Sequence, residues 1–212
     1  HSYGTNQTIL TRNAMLQNLK TTDTDEMYVA IRNVLGKDEM FEGSVAYGSV
    51  ENFAHFVGVT NENYNRFRVD YIDVKQLHVN ANYGRKINTI ISLNANANYY
   101  KWDKEVYNHP HFTCAISAPV NLRDKIKVTP SLSYMSERTS SLKFYVDDVA
   151  NNPPEITTLN PQFHANLDLY YSYSKQLSAY LQLNNLTNSK QDLWRDYREV
   201  GFNGIFGLNY SF

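Results

Sequence analysis

The sequence predicts an all-β chain, an antiparallel transmembrane β-barrel of about ten strands, and three observations predict it. Apolar and polar residues alternate strictly over segments of about 10 to 14 residues, the length a tilted strand needs to cross hydrocarbon and more than soluble sheets use. Connections between these segments are short and long by turns. The polar side of the segments carries Asn, Ser, Thr and Tyr in place of Lys and Glu, and only 19% of the chain is charged, which suits a water-lined lumen better than a solvent-facing surface.

Weak alternation marks strands at about 27 to 35, 39 to 48 and 53 to 60, and residues 8 to 19 fit helical and strand spacing equally badly. Phe67, Val69, Tyr71, Leu77, Val79, Ala81 and Tyr83 then share one face, with His78, Asn80 and Asn82 on the other. Ile91, Leu93, Ala95, Ala97 and Tyr99 alternate with Ser92, Asn94, Asn96 and Asn98. Phe112, Cys114 and Ile116 begin the next strand, and Ile126, Val128, Leu132 and Tyr134 the one after. Phe163 to Tyr173 and Leu177 to Leu183 follow on odd positions. The last strand ends the chain on Phe206, Leu208, Tyr210 and Phe212. A period of two throughout is the signature of strands that meet different surroundings on their two faces.

Short turns fall at Gly84 to Ile87, Asn121 to Lys125 and Ser174 to Gln176, and long polar loops at Trp102 to Pro110, Glu137 to Pro161 and Leu186 to Arg198. Tight turns at one end and long loops at the other are the arrangement of an outer-membrane meander. Tyr99, Tyr100, Trp102, Tyr170, Tyr171 and Tyr173 near strand ends are expected in aromatic girdles. Asp73 and Lys75 conflict with this pattern, because they continue the apolar face of their strand. Either the strand protrudes beyond the membrane there, or a bulge near Tyr71 exchanges its faces.

Composition narrows the function. A formal charge of -1 and a pI of about 6.7 give no basic field for nucleic acid. Cys114 stands alone, so there is no internal disulfide. No apolar run reaches the roughly 18 residues of a membrane helix, and the mean hydropathy of -0.52 is compatible with a barrel in which alternate residues face lipid.

The stretch AYLQLNNLTNSKQDLWRDYREVGFNGIFGLNYSF carries a family resemblance. Leu183 to Asn188, Trp194, Tyr197, Gly201, Gly207, Leu208, Tyr210 and Phe212 resemble the end of the barrel of TonB-dependent outer-membrane receptors of Bacteroidetes-like bacteria. The resemblance implies residence in the bacterial outer membrane, contact with its lipid, and a C-terminal strand (Phe206, Leu208, Tyr210, Phe212) read by the barrel-assembly machinery. It implies the translocation barrel of a transport protein taking up an unidentified small solute or surface ligand, with no cofactor and no nucleic acid partner. The family's barrel has about 22 strands, and its plug domain and coupling box have no counterpart here. Residues 1–212 therefore read as one barrel domain, either the C-terminal portion of a larger barrel or a small barrel of its own, with residues 1–26 unassigned. An adhesin-type barrel that binds proteins through its loops, and a soluble ligand-binding β-barrel, are the alternative readings.

Reactive constellations are sparse. His109 and His111 flank Pro110 as two metal ligands without a third, Asp147 and Asp148 are an exposed acidic pair, and His55, His78 and His164 select no catalytic triad. The chain is expected not to be an enzyme. Candidate ligand contacts lie in the long loops: Phe144 and Tyr145, beside Glu155 and Ile156, in one, and Trp194, Arg195, Tyr197 and Arg198 in another, where aromatic faces and guanidinium groups suit an anionic or sugar-like ligand. Interfacial anchoring by Trp194 and Tyr197 is the competing role.

Overall fold

The computed structural model describes residues 14–15, 20–61, 64–144 and 154–211. These form an all-β chain: β1 (Ala14–Met15), β2 (Asp23–Gly36), β3 (Glu39–Asn61), β4 (Tyr64–Lys86), β5 (Ser92–Trp102), β6 (Phe112–Ser117), β7 (Val120–Leu122), β8 (Ile126–Met135), β9 (Arg138–Phe144), β10 (Glu155–Leu159), β11 (Gln162–Ser172), β12 (Leu177–Asn184), β13 (Asp192–Trp194), β14 (Tyr197–Arg198) and β15 (Asn203–Tyr210). An antiparallel meander runs through β2, β3, β4, β5, β6 with β7, β8, β11, β12 and β15. The sheet is open, with β2 and β15 at its edges. Of the segment at 8 to 19, only Ala14 and Met15 lie among the described residues, and they pair in parallel with Phe67 and Arg68 of β4.

The segments expected at 39 to 48 and 53 to 60 are one strand, β3, and the meander has nine positions where the sequence suggests about ten. A bulge joins them. Val50 pairs with Val74 and Phe53 with Ile72, so one extra residue enters β3 and its side-chain parity inverts there. Asn52 sits in the left-handed region at φ 52°, a conformation Asn tolerates better than most residues. Its N–H donates to Asp73 Oδ1 at 2.8 Å. β4 itself runs without interruption against β5 and β3, so the bulge lies in the partner of the strand carrying Asp73, and Asp73 satisfies the bulge's spare N–H. At 23 residues, β3 and β4 each extend about 75 Å at about 3.3 Å per residue, far beyond the roughly 30 Å of hydrocarbon. Asp73 and Lys75 therefore lie on a protruding half.

Cross-strand register keeps one apolar face through the meander. Tyr47 pairs with Leu77, Val79 with Tyr99, Ala95 with Ile116, Ile116 with Leu132, Leu169 with Leu181, and Leu181 with Phe206. This face is half-buried to widely exposed, Phe206 at 67% and Leu208 at 65%, as expected where lipid is the solvent. Tyr99 and Tyr171 belong to this face, whereas Tyr100 and Trp102 point to the other one, because Tyr100 pairs with His78 and Trp102 with Gln76. On that polar face Asn80 Nδ2 donates to Asn98 Oδ1 at 2.9 Å and Asn82 Nδ2 to Asn80 Oδ1 at 2.7 Å. Gly207 pairs with Tyr180, and a Cβ there would collide with the Tyr180 ring. The main apolar cluster is small: Val50, Val74 and Val106, with Phe53, Ile72 and Trp102 against them. It sits on the polar-face side of β3 and β4 at the level where they leave the sheet.

Candidate functional site at the loop end

All three long loops lie at one end of the meander, the end toward which β3 and β4 protrude. The longest, 136–161, is built around the hairpin β9–β10. It leaves the sheet between β8 and β11, yet β9 pairs in parallel with the outer part of β3 through Gly58 with Leu142, Val59 with Lys143 and Thr60 with Phe144. The last loop holds the hairpin β13–β14 and reaches the same strands. The Trp194 ring meets Phe56 at 5.3 Å and Phe67 at 5.4 Å, and Tyr197 meets Phe67 at 5.5 Å. Loops from the β8 to β15 half thus reach across to β3 and β4 and rest on their outer parts. Gly58 permits this close approach, since a Cβ there would come within 2.8 Å of Leu142 Cδ1.

Polar contacts hold the two hairpins together. The Arg138 guanidinium, 6% exposed, donates to Leu193 O at 3.1 Å and Asp192 O at 3.0 Å. Gln162 Nε2 donates to Asp192 O at 3.3 Å. Arg195 Nη2 pairs with Glu155 Oε1 at 2.9 Å, joining β10 to the β13–β14 turn. His164 Nε2 lies 2.5 Å from Glu199 Oε2, whose other oxygen accepts from Gln191 N at 3.2 Å. Burial lowers the Arg138 pKa while the Glu199 charge opposes that shift, and two backbone carbonyls accept from its guanidinium.

The base of the last loop is fixed by one residue. Asn185, buried and at φ 52°, donates from Nδ2 to Ser189 O at 2.8 Å and Val200 O at 3.1 Å, and its Oδ1 accepts from Thr187 Oγ1 and Ser189 N. Asn188 Oδ1 accepts from Phe202 N at 3.1 Å and occupies the space a Cβ on residue 201 would need, so Gly201 is required there.

Loop 103–111 covers the polar face of β3 to β5. His78 and Tyr100 stack at 4.3 Å, Tyr100 and Trp102 at 5.7 Å, and Trp102 continues to His111 at 5.2 Å and His109 at 6.0 Å. His109 also lies edge-on to Phe53 at 5.1 Å. Burial first, then the positive charges of His55 and Arg138, hold its pKa down at about 4, so it is a neutral packing group at neutral pH.

The candidate residues fall into distinct places. Trp194 and Tyr197 have their rings against β3 and β4, and Arg195 and Arg198 line a cleft of about 380 Å³ between β10 and the β13–β14 hairpin. Phe144 ends β9 opposite Thr60, while Tyr145, Asp147, Asp148 and Phe212 lie outside the described residues. Phe206, Leu208 and Tyr210 share the exposed apolar face of β15. His109 and His111 both touch Trp102, and among the described residues no three His, Cys, Asp or Glu side chains gather as metal ligands. Sequence reading passed over Arg138, Gln162 and Glu199, which bear no local signal. It quoted Asn185 only as part of a motif.

No protein-family model matches the sequence, and no curated protein matches it. Solved structures do. The siderophore receptor PirA from Acinetobacter baumannii aligns at TM-score 0.67 and 14% identity, over 92% of this chain and 32% of its own. The FrpB iron transporter from Neisseria meningitidis aligns at TM-score 0.67 and 12% identity, over 94% of this chain and 33% of its own. The pyoverdine outer membrane receptor FpvA from Pseudomonas aeruginosa PAO1 aligns at TM-score 0.66 and 14% identity, over 90% of this chain and 30% of its own. The chain spans about a third of the length of these structures. At such identities the likeness is one of fold: the meander with its loop end has the fold of part of these receptor and transporter structures.

Proposed function

We propose that residues 1–212 form the C-terminal portion of a transport barrel in the bacterial outer membrane, which takes up a solute captured at its loop end. The observation that carries this reading is the docking of the long loops on one another and on the outer strands: β9–β10 and β13–β14 leave one half of the sheet and dock on β3 and β4 of the other. A loop end built of docked hairpins, beside a sheet face of Asn, His and Tyr, suits selective capture followed by passage along a polar lumen. The siderophore receptor and iron transporter that share the fold support uptake as the activity. In this reading the apolar face meets lipid, and the assembly machinery recognises β15 with Phe212.

Replacing residues 140–157 with a Gly-Ser linker in the full-length protein tests it. That change removes the pairing of β9 with β3 and the Glu155 partner of Arg195. Assembly is expected to remain intact, because the meander pairs independently of this hairpin, while solute uptake or surface ligand binding is lost. Unchanged uptake and binding would rule out a functional vestibule.

A further inference from the structure

The cleft between β10 and the β13–β14 hairpin holds six charged side chains: Lys190, Arg195 and Arg198, and Glu155, Asp192 and Asp196. Their formal charges cancel, but their environments differ. Lys190, Arg198 and Asp196 are exposed, and water and salt screen them. Glu155 is half exposed, with 52% of its side chain accessible, against 18% for Arg195. The shielded cation of the cleft is Arg195; Arg138 does not line it but lies behind it, donating to Asp192 O and Leu193 O. Arg195 Nη1 is buried and takes no hydrogen-bond partner among the described residues. A buried guanidinium N–H without an acceptor is costly, and an acceptor supplied from outside removes that cost.

We propose that this cleft is a binding site for a small carboxylate-bearing solute, with the Arg195 guanidinium as its anchor. The carboxylate takes the unused Nη1 donor and competes with Glu155 for Nη2, since the planar fork of Arg matches two carboxylate oxygens. Lys190 and Arg198 at the rim draw the anion in. A volume of about 380 Å³ falls at the small end of ligand pockets, so the cleft accommodates a compact organic acid or the acidic end of a larger molecule. The site deepens the uptake reading by naming a ligand class, and its binding step is measurable without transport.

The test is calorimetric titration of the purified full-length protein in detergent with citrate as probe, and glycerol and inorganic phosphate as comparisons. Citrate is expected to bind one to one and more tightly as salt is lowered, with phosphate weaker and glycerol not binding. R195Q is expected to weaken citrate by about tenfold or more, as loss of a charge-assisted pair does. Since R195Q also removes the link to β10, E155Q provides the discriminating variant: it removes the same link but frees Arg195, and it is expected to tighten citrate severalfold. Weaker citrate binding in E155Q, no citrate binding to the unaltered protein, or a preference for phosphate would each overturn the site. Citrate binding without uptake of any solute by cells would leave the cleft standing and sink the transport reading, whereas uptake without citrate binding would do the reverse.

Discussion

His109 sits where a charge would be hard to accommodate. Its ring packs on Phe53 and Trp102, and His55 and Arg138 face it as positive neighbours. The folded-state pKa of about 4 lies below the ordinary value near 6.5. Above pH 6.5 the imidazole is neutral whether the loop is docked or not, and its contribution is complete. As the pH falls from 6.5 to 4, the undocked loop binds a proton and the docked loop does not, so docking weakens by about 3 kcal/mol across that window. Hydrogen exchange of residues 103–111, corrected for the intrinsic pH effect, is expected to quicken over this range, and His109→Phe to abolish the extra acceleration. An equal acceleration in the variant would show that another group is responsible. Residues of this kind were poorly legible in the sequence: the HxH spacing suggested ligands, while the tertiary fold uses both rings for packing. Asn185 is the opposite case, because the motif that marked it in the sequence is the turn it holds together.

At the scale of elements, alternation made most strands legible, and it failed where β3 changes phase. Residues 39 to 48 and 53 to 60 each show a period of two, but the phases disagree by one residue. Such a break reads as a loop when the neighbouring strand is unknown. The pairing of Val50 with Val74 and Phe53 with Ile72 resolves it as a bulge. Its consequence is that His55 and Val57, both buried, turn toward the loops. Replacing Gly58 by Leu (G58L) leaves the bulge and the register of β3 in place but puts a side chain where a Cβ already lies 2.8 Å from Leu142 Cδ1. The expected result is a barrel that assembles and remains heat-modifiable, because 39–50 and 72–86 keep their register. Its hairpin β9–β10 should become open to protease, because Leu142 loses the small residue opposite it. Continued protection of 136–161 would mean that the hairpin is held without β3. The hairpins β9–β10 and β13–β14 were legible only as long loops, since β9 finds its second partner in β3, 84 residues earlier, and β13 and β14 are strands of three and two residues.

For the whole molecule, the central question is which face meets lipid, and the register makes the answer testable. Leu181 pairs with Phe206 on the apolar face, and Gln182 with Ile205 and Ser178 with Asn209 on the other. The two faces differ in what they touch: Phe206 and Leu208 are about two-thirds exposed, whereas Ser178 is buried and Asn184 Nδ2 donates to Asn203 Oδ1 at 3.1 Å. In water such an apolar face would exceed what a monomer tolerates; against hydrocarbon it is the stable side. Cys114 pairs with Ala97 and Tyr134 and shares the apolar face, so it must first be replaced by Ala. Single cysteines at Leu181 or Phe206 are then expected to react with an apolar, bilayer-confined reagent, and those at Gln182 or Asn209 with a small hydrophilic thiol reagent that enters the lumen. The contrast should be largest between positions 181 and 182, which are adjacent in β12 and therefore equal in depth to within one residue's rise. Equal labelling at those two positions would show that β12 lies in a uniform environment and is not a wall between lipid and lumen. Reversed labelling would place the apolar face inside, the arrangement of a soluble barrel.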